Sequence, residues 1–149
     1  MTAQTLAGKL VTAFGDIERM SALYAPEVEW HLPKGLNRPA AVGRDAVLAF
    51  NREVWTLHYR PQCRVDVLDE IGNETRSAVR FLYKAHSNAI NGPYENEYTV
   101  FVRSNPSGIT HVFEAMDSVL TLELMTGQKP GSSFARLYES MAAAKADAR

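Results

Sequence analysis

The 149-residue chain lacks several features that define a protein class by themselves. It has one cysteine, Cys63, which excludes an internal disulfide and a cysteine-rich zinc site. Its formal net charge is −1 and its lysines and arginines do not cluster, so it is not expected to bind nucleic acid. No apolar run approaches the roughly 20 residues that a membrane-spanning helix needs. The first residues lack the basic and apolar regions of a signal peptide.

These absences predict a soluble, cytoplasmic protein with an ordinary core. Hydrophobic residues make up 46% of the chain and charged residues 22%, which is typical of a globular domain. A chain of this length can bury a core without disulfides. We therefore predict a single domain over residues 1–149, with its core in residues 5–126 and a C-terminal tail or helix in residues 127–149.

The first part of the sequence has helical periodicity. Apolar residues recur at three- and four-residue spacing from Thr5 to Tyr24, and Gly15-Asp16 divides this segment into two short helices. Ala25-Pro26 ends the second helix, and the segment from Val28 to Leu32 predicts a short strand. A third helix with an apolar stripe is predicted after Gly43.

After Pro61 the pattern changes to strands separated by turn-forming residues. Helices followed by consecutive strands predict an α+β fold, in which N-terminal helices wrap a curved, largely antiparallel sheet into a cone with an internal cavity. A last helix or a frayed tail is predicted from Ser132 to Ala148. The predicted strands run from Cys63 to Leu68, Arg76 to His86, Tyr94 to Arg103 and Ile109 to Val119.

Asp117 is the first candidate for a functional residue. It follows an alternating run, so it shares a strand face with Ala115 and Phe113, while Glu114 and Met116 point to the other side. A carboxylate on a largely apolar face is costly unless it is paired or its pKa is shifted for a function. Two alternatives remain open here. Asp117 either ends the strand and caps a turn, or lies in an apolar pocket and takes part in chemistry.

Several blocks of the sequence together resemble a known family. They are Gly15-Asp16 with Leu23 to Trp30, Leu32-Pro33, Val42 to Phe50, and Ser107 to Asp117, and they span about residues 8 to 120. Their order and spacing resemble the SnoaL-like polyketide cyclases, in the superfamily of ketosteroid isomerase, limonene epoxide hydrolase and nuclear transport factor-like proteins. The resemblance implies the same cone-shaped fold. It implies less about chemistry, because this fold hosts isomerases, cyclases, hydrolases and non-catalytic binders.

The resemblance also implies roles for single residues. Asp117 falls at the catalytic aspartate of the cyclases and of the epoxide hydrolase, and Arg80 falls at the arginine of that hydrolase. His31 lies where the hydrolase has a polar, water-positioning side chain. The second aspartate of the hydrolase corresponds to Leu82, so its full water-activating arrangement is missing.

The positions that define ketosteroid isomerase are not filled either. The general base of that enzyme falls near Leu32, its oxyanion-hole aspartate near Val100 and its oxyanion-hole tyrosine near Gly8. Steroid isomerisation by that arrangement is therefore not expected.

We predict a catalytic site of Asp117, His31 and Arg80. Asp117 would be the general acid or base, His31 its proton partner or hydrogen-bond donor, and Arg80 the cation that orients the aspartate. The four histidines show no ligand spacing, so no metal site is predicted, and the sequence contains no cofactor motif. The predicted substrate pocket is lined by Trp55, Tyr98, Val100, Phe113 and Leu82.

The predicted function is cofactor-independent acid–base chemistry on a small, apolar, carbonyl-containing or polycyclic substrate, as an aldol-type cyclisation or an isomerisation. A non-catalytic ligand-binding or dimerisation module of the same fold is the alternative, and epoxide hydrolysis is a weaker one. A homodimer is also expected, because helices cover one side of the sheet and the other side would carry Val112, Met116 and Phe101.

Overall fold

The computed structural model describes residues 5–148, which form five helices and a curved, open six-stranded sheet. A short 3-10 helix, Lys34–Leu36, precedes the second strand, and a π-helical turn, Val54–His58, extends the third helix. The helices are α1 (Leu6–Thr12), α2 (Ile17–Ser21), α3 (Arg44–Glu53), α4 (Ser118–Met125) and α5 (Ser132–Asp147). The strands are β1 (Tyr24–His31), β2 (Ala41–Val42), β3 (Arg64–Gly72), β4 (Arg76–Ser87), β5 (Gly92–Asn105) and β6 (Gly108–Met116).

The strands lie in the order β2-β1-β6-β5-β4-β3. Strands β3 to β6 form an antiparallel meander, as short connections between consecutive strands favour. Strand β1 pairs in parallel with β6 and antiparallel with β2. The predicted α+β class and the largely antiparallel, curved sheet are therefore confirmed.

The break between α1 and α2 is where the sequence places it. Gly15 has a φ of +86°, and a Cβ at this position would lie 2.1 Å from the carbonyl oxygen of Pro61, so only glycine fits. The Asp16 side chain then accepts a hydrogen bond from the backbone N–H of Arg19 at 3.1 Å and caps α2. The second helix ends at Ser21, earlier than predicted.

Strand β5 shows which face of the sheet is the inner one. Its side chains alternate strictly between buried and exposed, as a strand with one covered face requires. Its buried residues, which define the inner face, are Tyr94, Asn96, Tyr98, Val100 and Val102.

The register with β5 sets the inner face of β6. Glu114 pairs with the fully buried Val100, so Glu114 points inward. A bulge at Thr110 precedes it and changes the phase of the alternation. Ile109 and Val112 are therefore both fully buried although they are three residues apart.

Helix α4 is an element that the sequence analysis does not predict. The last strand was expected to continue to Val119, but β6 ends at Met116. The Asp117 side chain accepts a hydrogen bond from the backbone N–H of Leu120 at 2.9 Å and starts the helix there. The strand therefore ends because its next residue is a helix cap.

Helix α5 is anchored at its first turn by Glu123 of α4. The Glu123 carboxylate accepts hydrogen bonds from the backbone N–H groups of Gly131 and Ser133, at 3.0 and 2.7 Å, and from the Ser132 hydroxyl at 3.1 Å. These bonds, chiefly the one from the Ser133 N–H, lower the pKa of Glu123 to about 2. None of the residues described in α5 is buried, so this anchor contributes much of its attachment.

Replacing Glu123 with glutamine should loosen α5, because the amide loses the charge and one acceptor oxygen. Hydrogen exchange at pH 7 should show faster exchange of the Gly131 and Ser133 amides. The pKa is lowered in the folded state, so this stabilisation is present above about pH 4.5 and is lost as the pH falls towards 2. The thermal midpoints of variant and wild type should therefore converge at low pH. Glu139→Gln, at an exposed position of α5, is the control; unchanged amide protection in Glu123→Gln would contradict the anchor.

Candidate active site

A cavity of about 370 Å³ lies against the inner face of the sheet, a volume suited to a small organic ligand. Its walls come from the turn after α1, from β1, β4, β5 and β6, from α3 with its π-helical turn, and from α4. The lining is mainly aromatic and aliphatic. The residues that carry polar groups into it are Arg38, Asn51, His58, Tyr59, Tyr83, Tyr98, Glu114 and Thr121.

Glu114 is the only carboxyl group among the described lining residues. The indole N–H of Trp30 donates a hydrogen bond to its Oε2 at 2.8 Å. Burial raises the pKa of Glu114 to about 7, and the Trp30 bond opposes part of this rise by stabilising the carboxylate. At neutral pH the group is therefore present in both protonation states, which suits it to take up and return a proton.

Two further polar groups of the cavity stay neutral. The Tyr98 hydroxyl lies 2.8 Å from the Tyr94 hydroxyl, which lies 3.0 Å from Oγ1 of Thr121. Burial raises the pKa of Tyr98 well above its ordinary value. The indole N–H of Trp55 donates to the Tyr83 hydroxyl at 3.0 Å. Burial raises the pKa of Tyr83 as well, so the Tyr83 and Tyr98 hydroxyls keep their protons near neutral pH.

Arg38 and His58 lie where the cavity meets solvent, and both side chains are exposed. The Arg38 guanidinium pairs with Glu53 at 2.9 Å, and Nε2 of His58 lies 3.4 Å from the same carboxylate. The positive charge at the entrance is thus balanced by a local acid. The interior has no described cation to balance the Glu114 carboxylate.

The inward orientation predicted for Asp117 is wrong. Asp117 is exposed and caps α4, as in the alternative in which it ends the strand and takes no part in chemistry. The predicted contact between Arg80 and Asp117 is also wrong, because Arg80 lies on the outer sheet face. Its guanidinium donates to Glu97 at 2.9 Å, in an ion pair whose side chains are both 49% exposed.

His31 also points away from the cavity. Alternation along β1 places Trp30 inward and His31 outward, so His31 cannot be the proton partner predicted for the cavity. Nε2 of His31 lies 2.8 Å from Glu29, and its ring stacks on Phe113 with 4.9 Å between centroids. The three residues predicted as catalytic are therefore not brought together, and none lines the cavity.

The residues predicted for the substrate pocket divide between the two faces. Trp55 and Tyr98 line the cavity. Val100 is fully buried on the same inner face but belongs to the core rather than to the lining. Phe113 and Leu82 lie on the outer face, since their partners across the sheet are the exposed Phe101 and Glu97.

The argument for a homodimer changes for the same reason. Val112 is fully buried and Met116 lines the cavity, so of the three residues expected on the outer face only Phe101 lies there, 36% exposed. The homodimer itself stays a prediction.

Sequence reasoning missed Glu114 because it chose the wrong face of β6. Residues 111–116 alternate between the two faces of the sheet, as predicted. The inward face, however, is the one that carries Val112, Glu114 and Met116. The sequence contains a signal for the correct face. Glu114 shares its face with the apolar Val112 and Met116, whereas the other face begins with the polar His111. Glu114, which lies between two apolar residues of its own face, is therefore a more unusual acid than Asp117 at the end of the strand.

Within residues 5–148, no helix has the length and apolar character needed to cross a membrane. The same residues contain no cluster of three histidine, cysteine or carboxylate side chains that could hold a metal ion.

A curved sheet and helices around an internal cavity define the architecture shared by nuclear transport factor-like and ketosteroid isomerase-like proteins. The sequence model described as the SnoaL-like domain matches residues 10–112, more than half of the chain. The protein therefore belongs to the SnoaL-like domain family. A search of curated proteins found no significant match.

Solved structures show the same architecture at low sequence identity. An NTF2-like protein of unknown function from Burkholderia pseudomallei K96243 is 20% identical, with 83% of this chain and 99% of that chain covered and a TM-score of 0.68. A hypothetical protein with a ketosteroid isomerase-like fold from Catenulispora acidiphila DSM 44928, in complex with trimethylamine, is 12% identical, with 86% and 96% covered and a TM-score of 0.70. TerC, co-crystallised with polyporic acid, is 18% identical, with 81% and 98% covered and a TM-score of 0.67. At these identities the likeness shows the fold alone.

The carboxyl group of Glu114, half-buried in the cavity wall, should make folding stability depend on pH in a definite direction. The pKa of Glu114 is raised from 4.5 to about 7 in the folded state, so its contribution is fully present below pH 4.5 and is lost as the pH rises through 7. The free energy of unfolding of the wild type, relative to Glu114→Gln, should fall by on the order of 3 kcal/mol between pH 4 and pH 8. Urea unfolding at both pH values measures this difference. Glu97→Gln, an exposed acid of the outer face, should show no comparable change; a pH-independent difference for Glu114→Gln would place Glu114 in water.

Proposed function

We propose that the protein is a cofactor-independent acid–base enzyme that acts on a small, largely apolar carbonyl compound, with Glu114 as the proton-transferring group. The observation that carries this proposal is the carboxyl group of Glu114, the only one among the described residues that line an apolar cavity, which is hydrogen-bonded to Trp30 and has its pKa raised to about 7. This proposal moves the acid–base role from Asp117 to Glu114. The family and the predicted class of substrate are retained.

The proposed chemistry begins when the Glu114 carboxylate removes a proton from the carbon next to a carbonyl group. The electron pair of the broken C–H bond forms the C=C bond of an enolate, and the carbonyl π electrons move to oxygen. In an isomerisation, the substrate is a β,γ-unsaturated carbonyl compound, so the enolate is conjugated with the second C=C bond and Glu114 returns the proton to the γ-carbon. In an aldol-type ring closure, the enolate carbon attacks a second carbonyl of the same molecule, and Glu114 protonates the resulting alkoxide. In both cases Glu114 ends as a carboxylate.

The surroundings of Glu114 support both the removal of the proton and its return. Burial favours the neutral acid and so strengthens the carboxylate as a base, while the Trp30 N–H keeps the ionised form accessible. An apolar cavity also strengthens electrostatic interactions within it. The two relatives that hold polyporic acid and trimethylamine support the binding of small molecules by this fold.

Proton abstraction can be tested without knowing the natural substrate. The probe is 2-tetralone, a neutral bicyclic ketone, and the readout is exchange of its α-hydrogens for deuterium in D₂O, followed by NMR above the buffer rate. The wild-type rate should rise as the pH passes about 7, because the carboxylate is the base. Glu114→Gln should lower the protein-dependent rate by about 100-fold or more.

Two carboxylate variants sharpen this test. Glu97→Gln removes an exposed acid of the outer face and should leave the rate unchanged. Asp117→Asn keeps a residue that caps helices well, so it tests the role of the acid without removing the cap. A loss of exchange in Asp117→Asn but not in Glu114→Gln would return the role to Asp117. Binding of 2-tetralone without exchange would favour a ligand-binding module over an enzyme.

Trp30→Phe should move the pH dependence of exchange upward. Phenylalanine keeps an aromatic ring but removes the N–H that stabilises the carboxylate, so the pKa of Glu114 should rise further. The midpoint of the pH–rate profile measures this shift. Trp55→Phe is the matched control, since the Trp55 N–H donates to Tyr83, and it should leave the midpoint in place. A midpoint that does not move in Trp30→Phe would contradict the role given to the hydrogen bond.

A further inference from the structure

Asn51 is a second unusual polar residue of the cavity. It lies near the end of α3, its side chain is fully buried, and it lines the same cavity as Glu114. Its Nδ2 has no hydrogen-bond partner, the only such buried side-chain atom among the described residues. Buried amides are nearly always satisfied, so an exception inside a cavity needs an explanation.

The orientation of this amide is fixed by Tyr24. The Tyr24 hydroxyl, itself buried, donates a hydrogen bond to Oδ1 of Asn51 at 2.7 Å. Burial raises the pKa of Tyr24 far above its ordinary value, so this hydroxyl keeps its proton and remains a donor. With Oδ1 facing the Tyr24 hydroxyl, the unused capacity of the amide consists of the two N–H bonds of Nδ2.

The backbone of Tyr24 is also held in place. The Arg44 guanidinium donates to the backbone carbonyl of Tyr24 and to the Ser21 hydroxyl, each at 2.8 Å. Arg44 begins α3, so this contact joins the start of β1 to the helix that carries Asn51. Tyr24, the partner of the Asn51 amide, is thus tied through its backbone to the first residue of the same helix.

The charge of the cavity restricts what can meet these donors. Glu114 carries negative charge above about pH 7, the Arg38 guanidinium at the entrance is already paired with Glu53, and Nε2 of His58 lies 3.4 Å from the same carboxylate. Tyr24 lies close enough to Glu114 for that charge to affect it, so the Asn51 amide and the carboxyl group belong to one region. An anionic ligand group would be repelled there, whereas a neutral acceptor oxygen would not.

We propose that Nδ2 of Asn51 is the hydrogen-bond donor that holds the carbonyl oxygen of the ligand, so that the cavity selects neutral ketones or similar carbonyl compounds over hydrocarbons of the same shape. This inference rests on the proposed function, because it concerns the same cavity. It assigns Asn51 a binding and specificity role, distinct from the proton transfer given to Glu114.

Calorimetric titration with two probes of nearly the same shape tests the assignment: 2-tetralone, which has the carbonyl oxygen, and tetralin, which lacks it. For each protein the informative quantity is the ratio of the two dissociation constants. Asn51→Leu replaces the amide with an apolar side chain of similar size. It should reduce the preference for the ketone by about tenfold, because a buried, otherwise unsatisfied donor is lost.

Two variants keep this test separate from that of the proposed function. Glu114→Gln should retain the preference for the ketone even though it abolishes exchange, and Glu97→Gln should match the wild type. If exchange does not depend on Glu114 but the preference still depends on Asn51, the acid–base proposal fails and the present one stands.

A second measurement covers the case in which Asn51→Leu does not fold. In ¹⁵N-labelled wild-type protein, the side-chain amide resonances of Asn51 should shift on addition of 2-tetralone and not of tetralin. The proposal would be overturned if the wild type does not bind the ketone, if its preference survives in a folded Asn51→Leu variant, or if the Asn51 resonances respond equally to both probes.

Discussion

The hydrogen bond between Trp30 and Glu114 joins the two strands on which the cavity depends. Parallel pairing of β1 with β6 sets Trp30 opposite Val112, so the indole can reach the carboxyl group two residues further along the same face. Within an apolar cavity this contact satisfies part of a carboxyl group that would otherwise be costly to bury. It also holds the inward face of β6 against β1.

The rest of the site follows from that placement. Burial raises the pKa of Glu114, and the cavity beside it has an aromatic wall to which Phe14, Trp55 and Tyr98 contribute. Phe14 packs against Trp55 with 5.0 Å between ring centroids, and Phe81 stacks on Tyr98 at 5.6 Å. Aromatic packing of this kind gives the cavity a largely apolar wall. The acid, the neutral hydroxyls and the free amide of Asn51 then form a small polar set on an apolar background.

The sequence predicts the fold well because its signals there are local. Gly15-Asp16 interrupts the first helical segment, turn residues separate the strands, and the alternation of β5 identifies its inner face. The site needs long-range information. Asp117 and Glu114 are both acids in one strand-like run, and only the pairing with β5 decides between their faces. The bulge at Thr110 changes the phase of that run, and a one-residue change of phase exchanges the two faces completely.

The most direct test of the central claim is the titration of Glu114 itself. Carboxyl ¹³C chemical shifts of glutamate-labelled wild-type protein can be followed by NMR from pH 4 to pH 9, with the resonance of Glu114 identified by its absence in Glu114→Gln. A half-buried acid in an apolar cavity, hydrogen-bonded to Trp30, should titrate with a midpoint near 7. A midpoint near the ordinary value of about 4.3 would show that Glu114 is solvated, and would contradict the assignment of this carboxyl group to the cavity.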